Sequence, residues 1–97
     1  MIKPLEYSLE VENQIAIRGC LEELSKIGTE VLSKSNDPHE QCDEVYHIGN
    51  STVKVTHNLP SGIPPYFCDL KVYGKPSEEF LRWVKGKKEY LRDIRTP

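Results

Sequence analysis

The sequence predicts a single α+β domain spanning residues 1–97: an antiparallel sheet of three to five strands with two helices packed on one face, in the order β(β)αβββα. Three observations carry that expectation. Three consecutive segments between residues 43 and 73 alternate β-branched or aromatic residues with polar ones. A stripe of helical spacing precedes them and another follows. The links between them are too short for the crossovers that parallel strands require.

Length and composition fit one such unit. Ninety-seven residues can bury most of one core but not two. With 37% hydrophobic and 29% charged residues, the chain falls outside both the membrane-spanning and the apolar-poor disordered classes. The opening MIKPLEYSLE lacks the basic-then-apolar order of a secretory signal, and no run reaches the length of a membrane helix, so no membrane partner is expected. Cys20, Cys42 and Cys68 are odd in number and widely spaced, which points to free thiols in a reducing compartment, the cytoplasm.

Taken in order, "LEYSLEVENQIAIR" (5–18) alternates Tyr7, Leu9 and Val11 with polar residues, then Ile15 and Ile17 after Asn13-Gln14. That favours a short hairpin, although "EVENQIAIR" also fits the first turns of one long helix. From Gly19 to about Ser33 the spacing is helical. Cys20, Leu21, Leu24, Gly28 and Val31 share one face, and Glu22–Lys26 and Glu30–Lys34 form opposite-charge pairs on the other. Residues 33–43 form a polar link with Asn36-Asp37-Pro38 as a turn signal.

"DEVYHI" (43–48) and "STVKVTH" (51–57) flank Gly49-Asn50 as a hairpin, with Ile48 expected opposite Val53 and Tyr46 opposite Val55. The proline-rich "NLPSGIPP" (58–65) leads to "YFCDLKVY" (66–73), a strand with Cys68, Leu70 and Val72 on its apolar side. Ser77 caps a second helix over about 77–94, striped by Phe80, Val84, Leu91 and Ile94 and weakened at Gly86.

Function is approached mainly by elimination. Strand parity places His47 and His57 on opposite sides of the sheet, so they cannot share a metal ion. His39-x2-Cys42 is the one pair with zinc-ligand spacing, and no second pair completes it. Cys20 and Cys68 lie on apolar stripes, as core thiols do. No P-loop, G-x-S-x-G, H-E-x-x-H or G-x-G-x-x-G occurs. The expectation is therefore no cofactor, no metal and no catalytic residue.

Charge is distributed unevenly. Residues 1–70 hold five Lys/Arg against eleven Asp/Glu, whereas residues 71–97 hold eight against four. Much of this basic end is matched on its own helix by Glu78–Arg82, Lys85–Glu89 and Glu89–Arg92, which weakens a nucleic-acid reading.

The surface singled out is the sheet face away from the helices. By parity it carries Val45 and His47, then Lys54 and Thr56, then Phe67, Asp69, Lys71 and Tyr73. His47, Lys54, Phe67, Lys71 and Tyr73 are the candidate ligand-binding residues. Their mixture of aromatic and cationic groups suits a protein partner, a second copy of the chain included, or the bases of a single-stranded nucleic acid as the alternative. Cover by Tyr7, Leu9 and Val11 of the N-terminal segment, or by a second subunit, is the competing expectation for that face. A small non-catalytic interaction or regulatory domain is the leading functional expectation, and a small enzyme without a linear motif the last.

Overall fold

The computed structural model describes residues 3–30, 44–59 and 63–96. Six strands form one antiparallel sheet: β1 (Leu5–Val11), β2 (Thr29–Glu30), β3 (Glu44–Ile48), β4 (Ser51–His57), β5 (Tyr66–Tyr73) and β6 (Leu91–Arg95), in spatial order β2-β3-β4-β5-β1-β6. Helix α1 (Gln14–Ile27) and helix α2 (Glu78–Gly86) both contribute to the one core on a single face of that sheet. The α+β class and the succession β1, α1, β3, β4, β5, α2 are as the sequence predicts, with β2 and β6 added at the two edges of the sheet. Five strands have five or more residues, and the two-residue β2 extends the sheet at its edge.

Alternation builds the core. Tyr7, Leu9 and Val11 of β1 are buried, as are Cys68, Leu70 and Val72 of β5, and the register sets Tyr7 against Leu70 and Leu9 against Cys68. β4 adds Val53 and Val55, and β3 adds Tyr46 and Ile48. The helices close this layer with Ile17, Cys20 and Leu24 from α1 and Phe80, Trp83 and Val84 from α2. The N-terminal segment therefore packs toward the helices and does not cover the opposite face.

Both helices differ in extent from the sequence expectation. α1 begins at Gln14 because the Asn13 side chain accepts the Ile15 N–H at 2.9 Å, so residues 14–17 are its first turn and not a second hairpin strand. Ile15 is 75% exposed and Ile17 fully buried, as residues two apart on a helix must diverge. α1 ends at Gly28 instead of continuing to Ser33. A Cβ there would come within 2.8 Å of the His47 carbonyl oxygen and 2.5 Å of Ile48, so glycine lets the helix end abut β3. The whole of the expected polar link at 33–43 lies outside the described residues, as does Val31; His39 and Cys42 fall within that link.

α2 ends at Gly86 and not near residue 94. Its start follows the sequence reading, with Ser77 Oγ accepting the Phe80 N–H at 3.2 Å. After a 3-10 turn at Lys88–Tyr90 the chain enters β6. The spacing of three between Leu91 and Ile94 reads as helical, but it arises from a bulge. Leu91 pairs with Leu9 and Ile94 with Tyr7, two residues on the same side of β1, and the register shifts between them.

The β3–β4 hairpin closes through Gly49, at φ 61°, and Asn50. Ile48 pairs with Ser51 and Tyr46 with Val53, a shift of two from the expected register that leaves every side chain on its expected face.

One polar cluster joins the helices. Glu23 of α1 accepts the Trp83 Nε1–H at 3.0 Å and pairs with Lys87 Nζ at 2.7 Å. The hydrogen bond from Lys87 holds the Glu23 carboxyl below its ordinary range. Burial pulls Lys87 down, but the bond to Glu23 and nearby charges outweigh it and leave the ammonium raised. Burial also pushes the Cys20 thiol up, against the opposing charge of Lys87, so it stays protonated.

Two outcomes follow. Phe80 is fully buried against Tyr7 and Trp83, and Leu81 is 43% exposed. Chemical denaturation should show Phe80→Ala losing about 3–5 kcal/mol and Leu81→Ala far less. A lowered Glu23 pKa contributes stability above the unfolded-state value that disappears as pH falls through the folded-state value. Denaturation midpoints should accordingly fall less steeply in acid for Glu23→Gln than for the wild type.

Candidate functional site

The sheet face opposite the helices is built from the second half of each strand's alternation. His47 and Thr52 pair across β3 and β4, as do Val45 and Lys54. Thr52 continues to Tyr73, Lys54 to Lys71, and Thr56 to Asp69 on β5. Lys71 then meets Glu6, Asp69 meets Ser8 and Phe67 meets Glu10 on β1. Beyond them, Glu6 pairs with Arg95 and Ser8 with Asp93 on β6.

The face therefore reads in rows across the strands. One row is Val45, Lys54, Lys71, Glu6 and Arg95, and the next is Thr56, Asp69, Ser8 and Asp93.

All five residues singled out from the sequence lie on this face. His47 and Lys71 are exposed, and Phe67 is 36% exposed. Lys54 and Tyr73 are half-buried, with the ammonium 5.2 Å from the ring centroid in cation–π geometry. The structure adds Glu6, Ser8, Glu10, Asp93 and Arg95, which sequence reasoning did not assign. The alternation of Tyr7, Leu9 and Val11 was a signal for the β1 set. Nothing local marked the β6 set, whose placement depends on pairing with β1.

Charges on this face interlock. Ser8 Oγ donates to Asp69 Oδ1 at 2.6 Å, Lys71 Nζ lies 3.9 Å from Glu6, and Arg95 Nε lies 3.1 Å from Asp93. Arg92 donates to Glu10. Among the described residues of this face, four acids (Glu6, Glu10, Asp69, Asp93) thus stand beside four bases (Lys54, Lys71, Arg92, Arg95). Ser8 is short among long neighbours, and a depression of about 140 Å³ opens beside it, lined by Glu6, Ser8, Asp69, Lys71, Asp93 and Arg95. That volume is below the roughly 300 Å³ at which small-molecule sites begin.

A second place collects titratable groups on the helix side. The cleft between α1 and the end of β4, about 370 Å³, is lined by Arg18, Leu21, Glu44, His57 and Leu59. His57 Nδ1 accepts the Leu59 N–H at 3.2 Å, and its Nε2 faces Glu44 Oε1 at 3.9 Å. Tyr46 donates to the other Glu44 oxygen at 2.9 Å. Nδ1 is thus occupied by the Leu59 N–H, whereas Nε2 lies beyond hydrogen-bonding distance of Glu44. The ring fastens the end of β4 to the following loop.

His47 and His57 lie on opposite sides of the sheet, the first open and the second among these contacts. Among the described residues no three His, Cys, Asp or Glu side chains are grouped to hold a metal ion. Cys20 and Cys68 are buried thiols, and among the described residues no helix is long and apolar enough to cross a membrane. Compared with known proteins, the chain matches no family model, no curated sequence and no solved structure.

The two histidines should separate on mutation. His57→Ala removes the acceptor of the Leu59 N–H and is expected to cost about 1 kcal/mol in urea denaturation. His47→Ala should remain within about 0.5 kcal/mol of wild type, as surface substitutions do.

Proposed function

We propose that this chain is a non-catalytic protein-interaction domain whose working surface is the open sheet face. The observation that supports it is the composition of that face: interlocked acid and base rows, bordered by Phe67 on one side and by Tyr73 with Lys54 on another. Aromatic anchors beside a charge pattern recognise a complementary protein surface, in which the pattern fixes orientation and the aromatics supply burial.

The partner this face fits is a folded protein whose charges mirror the rows, acid facing Lys54 and Lys71 and base facing Asp69. Single-stranded nucleic acid is the weaker reading, because Lys54 and Lys71 are offset by Glu6 and Asp69 on neighbouring positions. Catalysis is the last reading: in the His57 cleft the imidazole Nδ1 already accepts the Leu59 N–H.

Affinity capture with the full chain, in the presence of nuclease, tests the proposal through paired variants. Phe67→Ala and Tyr73→Ala should melt within a few degrees of wild type yet lose the captured protein, while Glu79→Ala on the exposed side of α2 retains it. Capture abolished by nuclease, or unaffected by both aromatic substitutions, would overturn the reading.

A further inference from the structure

We infer that β6 is a self-recognition edge, through which two copies of this chain join their sheets antiparallel about a two-fold axis at Ile94. This rests on β6 alone, so its failure would leave the open-face proposal standing.

β6 ends the sheet on the side of β1, and no described strand pairs with its outer edge. An edge strand presents a row of backbone donors and acceptors to any chain that can align with it. The opposite edge, β2, is only two residues long, which offers little to pair with.

Side-chain placement on β6 selects a second copy. Asp93 and Arg95 project on the open side, opposite Ser8 and Glu6, while Ile94 projects on the helix side opposite Tyr7 and is 48% exposed. In an antiparallel pair centred on Ile94, Asp93 lies directly across from the partner's Arg95 and Arg95 across from the partner's Asp93. Opposite charges directly across a ladder are favourable. On the other side Ile94 meets the partner's Ile94.

Neighbouring registers fail. Centring on Asp93 opposes two aspartates, and centring on Arg95 opposes two arginines. A slip of one residue turns the helix side of one copy onto the open side of the other. The bulge at Arg92 lies on one flank of the axis and leaves residues 93–95 regularly paired with β1.

The symmetry is that of a closed dimer, since each edge is used once. Its open face would be continuous: the row of Lys71, Glu6 and Arg95 in one copy runs into the partner's Asp93.

Charge exchange tests the register. Sedimentation equilibrium of the full chain from micromolar to millimolar concentration should show reversible dimerisation. Asp93→Arg and Arg95→Asp, each with wild-type circular dichroism, should weaken it at least tenfold. An equimolar mixture of these two variants should dimerise again, since each supplies the charge the other lacks, and the double variant Asp93→Arg/Arg95→Asp should do the same. A second measurement needs no substitution: mixed isotope labelling should give an intermolecular NOE between the Ile94 methyls of the two copies. A wild-type chain monomeric throughout, a mixture no tighter than its single variants, or a dimer lacking that NOE would overturn the inference.

Discussion

The structure depends on one constraint, the strict alternation of side chains along β5 and β1 at the centre of the sheet. Once Cys68, Leu70 and Val72 face the helices beside Tyr7, Leu9 and Val11, the intervening residues have nowhere to go but the other side. Phe67, Asp69, Lys71 and Tyr73 are thus set against Glu6, Ser8 and Glu10 by the same geometry that forms the core. Hydrophobic burial on one face and charge patterning on the other are two halves of one alternation.

The helices make that alternation one-sided. Their positions are fixed by apolar contacts, and the Glu23–Trp83–Lys87 cluster ties one to the other at the rim. Because both occupy the same side, the other face of the described sheet is accessible along β1 and β5, while Val45 on β3 is buried there, and the polar composition along β1 and β5 is what makes exposure tolerable. The ion pairs there contribute little to stability, since exposed pairs are typically worth about 0–1 kcal/mol.

The fold class and half of the open face were legible in the sequence because both depend on period-two patterns over short segments. His47, Lys54, Phe67, Lys71 and Tyr73 could be placed by parity alone, and the parity survives a hairpin register that differs by two. What could not be read locally is pairing between distant segments. Ser8 and Asp69 are 61 positions apart and Glu10 and Arg92 are 82 apart, so the β1 and β6 portions of the face emerge only when the chain is closed. β6 was disguised further by its bulge, which gives Leu91 and Ile94 a helical spacing. Ile15 and Ile17 mimicked a strand in the same way, with the Asn13 cap as the stronger clue.

The central claim is that one sheet face is buried under helices and the other is open along β1 and β5. Relaxation enhancement by a soluble paramagnetic probe, read at side-chain resonances in dilute solution, measures this directly. Strong enhancement at Glu6, Ser8 and Glu10 and at Phe67, Asp69 and Lys71, alternating with protection at Tyr7, Leu9, Cys68 and Leu70, is the expected result. Uniform protection along both strands would show the face to be covered and would contradict the account.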